Sequence, residues 1–268
     1  MEKTGERKMK KISTLDIFWS GFKIKFINTS WNFERLQNIG FIFSIYNLLK
    51  KIYANNAAGL KYAVKRHLSF FNTHVFFASA VLGVMIKMEE NLDDSNPDKK
   101  NEEIETMKLG IMGPLAAIGD NLFWSGIRPF ALMIGAGSIY LGGTGPKAFL
   151  WAVFMSLMLY NVPRVSIKYY LLFKAYYDHE RLLGFVQKIK FQEIMKSIKL
   201  MGTIFVAGIM AGYLEKKNID FFKPDWLEDL VFLGVFVLSR MFLKRKTSIT
   251  HIFIALIVFS IIISYMIN

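Results

Sequence analysis

NTHVFFASAVLGVMIKMEE, residues 72–90, sets Asn72, Thr73 and His74 ahead of an apolar run, Lys87 within it, and Glu89 and Glu90 at its end. On a water-soluble helix, polar groups recur every three or four positions and share one solvated face. Here they bracket the run and leave no such face, so its middle must be covered by protein or lipid. Its two ends are left to meet water, a partner or a ligand.

The rest of the chain supports a lipid environment. The 268 residues are 53% hydrophobic, with 25 Phe and 14 Met, an apolar load high for a water-soluble domain of ordinary make-up. A net charge of +13 fits either a nucleic-acid surface or the positive-inside bias of a membrane protein. The basic residues flank apolar runs and form no continuous stripe interleaved with aromatics, so the membrane reading holds and no nucleic-acid partner is expected. With no cysteine, disulfides and thiolate metal sites are excluded. Residues 1–11 are charged and lead into amphipathic sequence, a pattern without the apolar core of a cleavable signal peptide.

The expected fold is all-α and polytopic, one membrane domain over residues 1–268. In residues 14–27, TLDIFWSGFKIKFI, the side chains Leu15, Phe18, Trp19, Phe22 and Phe26 recur on one helical face with Lys23 and Lys25 elsewhere. That suits a helix lying in the membrane interface, on the side that carries the basic residues; packing on a protein core fits the same pattern. Two further helical stretches with basic ends, residues 31–53 and 57–71, complete an N-terminal amphipathic region, 1–69. Residues 70–163 are expected to form a core of broken or re-entrant helices. Residues 164–199 are expected to be a basic cytoplasmic segment, and 200–268 transmembrane helices. Within the last part, ITHIFIALIVFSIIISYMI at 249–267 approaches the ~20 residues a bilayer core requires. With residues 226–243 and the KRK turn at 244–246 it reads as a transmembrane hairpin. The basic loops then place the N-terminus in the cytoplasm and the C-terminus outside.

Two places interrupt apolar sequence with polarity and glycine. One is the opening stretch. The other is KLGIMGPLAAIGDNLFWSGIRPF, residues 108–130, with four glycines, Pro114, Pro129, and the ionisable Asp120 and Arg128. Discontinuous helices that expose backbone dipoles and a few side chains are how many transporters build a substrate site, and ionisable groups in such segments are functional suspects. Asn72, Thr73, His74, Glu90, Asp120, Asn121, Trp124 and Arg128 are therefore the candidate substrate-binding residues. A carbohydrate site wants this mixture, carboxylates and amides for hydroxyls and an aromatic face for C–H edges. Each has a plainer reading: Asp120 and Arg128 neutralising each other, Glu89 and Glu90 facing water at the mouth of the next loop, His74 as a satisfied interior histidine, Trp124 as an interface anchor. Residues 91–105, NLDDSNPDKKNEEIE, read as an aqueous turn, and GGTGP at 142–146 as a break between two apolar segments. Phosphate-loop, dinucleotide-binding, HExxH and GxSxG patterns are absent, so no catalytic residues, cofactor or metal are expected in this chain.

SFFNTHVFFASAVLGVMIKMEE, KLGIMGPLAAIGDNLFWSGIRPF, the early NFERLQNIGF and the later LYNVPRVSIKYYLLFKAY together resemble the IID subunit of the mannose-family sugar phosphotransferase system. The likeness runs in the same order from about residue 15 to the C-terminus. Val75 and Asn121 depart from the Pro and Ser commoner in the family. The resemblance implies a bacterial inner-membrane subunit that pairs with a IIC subunit, as a trimer of heterodimers, to translocate a hexose or amino sugar. Cytoplasmic IIA and IIB would carry the phosphoryl group on histidines, IIB passing it to the sugar, while IID itself is no phosphocarrier. Residues 164–199 are the candidate contact for IIB. Some relatives also serve as docking receptors for bacteriocins or phage. A subunit that only holds IIC in place, without touching sugar, is the alternative.

Overall fold

The structure is a computed structural model that describes residues 12–91, 96–143 and 145–216. The expected C-terminal hairpin lies outside them. The chain divides into two compact units, residues 1–206 and 207–268, and of the second only residues 207–216 are described.

The described residues form nine α-helices: α1 Thr14–Lys23, α2 Asn38–Ile52, α3 Ala57–His67, α4 Ala78–Asn91, α5 Pro97–Leu122, α6 Arg128–Gly142, α7 Pro146–Tyr177, α8 Leu182–Lys188 and α9 Phe191–Lys216. α1 opens with a capping box, Ser13 accepting from the Asp16 N–H while the Asp16 carboxylate accepts from the Ser13 backbone. α5 opens on Asn96, whose side chain accepts from Lys99 N–H, with Pro97 in the first turn, where its missing donor costs nothing. Residues 97–105, expected as an aqueous turn, are therefore helical: the Asn-Pro pair that reads as a turn is a helix start.

The break expected in residues 108–130 takes a different form. Pro114 sits inside α5 without ending it, and α5 passes into α6 through one π-helical turn, Phe123–Ile127, in which Arg128 N–H bonds the Phe123 carbonyl five residues back. Pro129 explains the wide turn. It has no N–H to give and its ring would crowd the carbonyl four residues earlier, a conflict that one extra residue in the turn relieves. The helical path Pro97–Gly142 is thus continuous over 46 residues, and it and α7, at 32 residues, are long and apolar enough to cross a bilayer. Between them the chain turns at Gly143, whose φ of +83° suits glycine, as the GGTGP sequence implies. Only 6% of the apolar window of α7 is buried within the chain, leaving Phe149, Leu150, Trp151 and Phe154 exposed. α7 also runs through Arg164 unbroken, so the basic segment 164–199 begins within a helix.

α4 is the hub of the core. Eleven of its 14 residues are buried, and at about 21 Å it is too short to span. It packs closely on α7: a Cβ added at Gly83 would lie 2.4 Å from Leu172 O. α1 is buried through Ile17, Ser20 and Gly21, and is pinned to α7 by Lys168 Nζ donating to Gly21 O at 2.9 Å and by the stacked rings of Phe18 and Tyr169. The face expected to meet lipid, Leu15, Phe18, Trp19, Phe22 and Phe26, stays 37–70% exposed.

Candidate functional site

Residues 72–77 turn the chain into α4, and their backbone fixes His74. Its carbonyl accepts from the N–H groups of both Phe77 and Ala78, each at 2.9 Å. Thr73 is anchored on two sides: its N–H donates to Gln37 Oε1 at 2.9 Å and its hydroxyl to the Met112 carbonyl at 3.0 Å, on α5 near Pro114. Asn72 points outward and is exposed.

His74 is 3% exposed. Its ring stacks on Phe123 of the π turn (centroids 5.2 Å, planes 8° apart) and meets Trp124 edge-on at 5.9 Å. Gly119 makes this approach possible, since a Cβ there would lie 2.4 Å from the His74 Cβ and Cγ. Nδ1 accepts a long bond from Phe76 N–H at 3.4 Å, which leaves the proton of a neutral ring on Nε2. Among the described residues that buried nitrogen has no partner. A buried donor without an acceptor costs roughly 1–3 kcal/mol. The reading of His74 as a satisfied interior histidine does not describe this environment.

Asp120, Trp124 and Arg128 follow at intervals of four and lie along one exposed face through the π turn, with Asn121 beside them. The Arg128 guanidinium lies over the Trp124 ring, 5.2 Å from its centre. Among the described residues no ion pair joins Asp120 to Arg128, so neither neutralises the other. Asn121 borders a cavity of about 490 Å³ between the end of α5 and the start of α9, also lined by Gln192, Lys196 and Lys199. α9 is seated there by Met195, whose sulfur would lie 2.8 Å from a Cβ at Gly126. The structure thus brings His74 onto Phe123 and Trp124 of the π turn, with Asp120, Asn121 and Arg128 on the flanking helix ends, while Thr73 is bonded at Met112, further back along α5, and Asn72 is exposed. Among the described residues no cluster of His, Asp and Glu could hold a metal ion.

Glu90 stands apart. It lies at the far end of α4, about 18 Å along the helix from Ala78, where its carboxylate accepts from the Tyr176 hydroxyl at 2.8 Å and pairs with Lys87 at 3.3 Å. Glu89, expected to face water, is buried instead. Its Oε1 lies 2.8 Å from His67 Nε2 and 2.9 Å from Arg66 Nε, and its Oε2 accepts from the Tyr53 hydroxyl at 2.6 Å, with Lys100 Nζ 3.8 Å away. Arg66 extends the network to Asn101 at 2.6 Å, and Lys108 donates to the Arg66 carbonyl at 3.0 Å. Burial alone would raise the Glu89 carboxyl, but the bonds from His67 and Tyr53 and the charge of Arg66 outweigh it and hold it at about 2. Burial pushes the His67 imidazole down, the Glu89 carboxylate opposing only in part.

Residues 9–267 match the model of the PTS system mannose/fructose/sorbose family IID component. The chain is 33% identical over 214 residues to the mannose-specific EIID component of Escherichia coli K12, covering 78% of this chain and 71% of that protein. It is equally 33% identical to the fructose permease IID component of Bacillus subtilis 168, over 79% of this chain and 74% of that one. In structure it is similar, at a TM-score of 0.55 and 25% identity over 94% of this chain and 96% of the other, to a chain of the cryo-EM complex of the mannose transporter ManYZ with a microcin. The protein, a membrane protein of sugar transport, belongs to the mannose/fructose/sorbose family of PTS IID components.

Proposed function

We propose that this subunit joins a IIC subunit in the cytoplasmic membrane to translocate a hexose or amino sugar, coupled to phosphorylation by a cytoplasmic IIB, and that it contributes directly to the sugar passage. The observation that carries the reading is the Nε2 donor of His74, unpartnered among the described residues and held against Phe123 and Trp124. Asn72, Asp120, Asn121 and Trp124 line the passage in this reading, Asp120 and the amides taking hydroxyls and the Trp124 ring taking C–H edges. Thr73 and Arg128 hold the turn, Thr73 by its bond to Met112 O and Arg128 by its stack on Trp124. His74 is sealed from solvent in this subunit, so its donor becomes available when the π turn shifts. π turns are single-turn departures from the α-helical ladder that recur at functional sites, and this one is a natural place for such movement. Glu90 serves the α4–α7 joint with Lys87 and Tyr176.

Support for a hexose comes from the names of the relatives, one mannose-specific and one a fructose permease. The basic bias of residues 1–11 and 164–199 supports a cytoplasmic N-terminus and a IIB contact in the second stretch. The burial of His74 equally favours a second reading, a subunit that braces IIC without touching sugar. Uptake separates the two. In cells lacking the native chain, Asp120→Asn should assemble with IIC yet lose most transport of mannose or fructose; wild-type uptake by that variant would reject a passage role for Asp120.

A further inference from the structure

α1 and α2 enclose a cleft of about 350 Å³, lined by Asp16, Trp19, Ser20, Lys23, Asn47, Leu48 and Lys51. Its volume falls within the ~300–1,000 Å³ of small-ligand sites. The cleft is net cationic. Asp16 is fully engaged, its carboxylate taking the Ser13 N–H and hydroxyl and the Lys51 ammonium; burial would raise its pKa, but Lys51 and Ser13 outweigh that and hold it below its ordinary value. Asp16 and Lys51 therefore cancel, and Lys23 is left as the uncompensated charge. Among the described residues Lys23 meets no carboxylate, only the face of Phe43, 5.3 Å from the ring centre. Asn47 and Ser20 add an amide and a hydroxyl.

What adjoins the cleft narrows the anion it suits. Leu15, Phe18, Trp19 and Phe22 form an apolar strip on the same helix, each between 37% and 70% exposed. Trp19 belongs to both strip and cleft, and Lys25 lies over the rings of Phe22 and Phe26 at 3.7 and 4.7 Å, its ammonium carried along the aromatic edge. A free anion has no use for that strip, whereas a phosphodiester carried on an apolar body uses both. We infer that the α1–α2 cleft is the headgroup seat of an anionic phospholipid, with phosphate at Lys23, headgroup hydroxyls at Asn47, and acyl chains along Leu15, Phe18 and Phe22. The lipid would close the α1–α2 joint on one side, as the Lys168 bond to Gly21 closes α1 on the other.

The complex with its IIC partner, stripped of lipid in detergent, is offered equal amounts of phosphatidylglycerol and phosphatidylcholine of the same chain length, and the retained lipid is measured by mass spectrometry. Wild type should retain the anionic lipid about fivefold over the neutral one, the effect of one lysine at an anionic surface. Lys23→Gln and Asn47→Ala, each at an accessible position, should each bring that ratio toward one, while Lys61→Gln on α3 should leave it unchanged. Equal retention by wild type, an unchanged ratio in both cleft variants, or an equal fall with Lys61→Gln would overturn the site. Loss of the preference in millimolar inorganic phosphate would assign the cleft to free phosphate and overturn the lipid.

Discussion

Glu89 Oε1 lies 2.8 Å from His67 Nε2, and neither side chain is reached by solvent. The pair closes a polar knot that ties the end of α4 to the ends of α2, through Tyr53, of α3, through Arg66 and His67, and of α5, through Lys100. Buried ion pairs are poor sources of net stability but costly to break from one side, because the abandoned charge stays buried. The knot therefore fixes which helix ends meet, and so holds α4 in the position from which residues 72–77 reach the π turn.

Removing the carboxylate should thus be severe. Glu89→Gln leaves Arg66 without the buried carboxylate it pairs with and is expected to cost about 3–5 kcal/mol. The check is the melting midpoint and yield of the complex with IIC. A variant as stable as wild type would show that the knot carries no such role.

The same knot sets a pH dependence. His67 and Glu89 both have folded pKa values below their ordinary ones, so the unfolded chain takes up protons that the folded chain refuses. Stability then rises with pH across each window. The contribution of Glu89 is complete above about 4.5 and is lost as pH falls toward about 2; that of His67 begins to fall below about 6.5. The melting midpoint of the complex should drop as pH is lowered through 6.5, more steeply below 4.5, and Glu89→Gln should flatten the lower limb. A midpoint constant from pH 7 to pH 4 would contradict this.

Little of the knot was legible in sequence. KRH at residues 65–67 reads as the basic end of an amphipathic helix and MEE at 88–90 as the wet end of an apolar one; only a partner 22 positions away makes them a single feature. Opposite charges closing two neighbouring helices were the available signal. By contrast, the helical class and the turn at GGTGP could be read locally, because glycine and proline in apolar runs have few other uses. Glu90 shares a stretch with His74 but sits at the other end of a rigid helix, against Tyr176 and Lys87, a separation that the linear sequence does not display. The π turn was anticipated only as a break, since Pro129 signals a conflict with the helix and not its solution.

Gly119→Ala is expected to harm transport although alanine favours helix. A Cβ at 2.4 Å from the His74 ring must displace it, at about 1–3 kcal/mol for overpacking. Gly113→Ala, with nothing within 4 Å of the new methyl group, is the control and should fold as well as wild type. Uptake and melting of both variants, compared side by side, test the packing; an uptake defect in Gly113→Ala alone would place the close contact elsewhere.

His74→Phe keeps the stack on Phe123 and removes the Nε2 donor. If the ring only fills space, the variant should transport normally. The passage reading expects assembly and stability near wild type with uptake reduced at least about tenfold, the loss of one hydrogen bond that carries function.

Calorimetric titration of mannose, fructose and glucosamine into the purified complex with IIC tests the passage reading most directly, comparing wild type with Asn72→Ala and Asp120→Asn. One of these sugars should bind wild type, and each variant should bind it about 10- to 100-fold more weakly in an intact complex, as expected for losing a hydrogen bond to a charged or well-placed polar group. Unchanged affinity in both variants would remove this subunit from the sugar site and leave it as a brace for IIC.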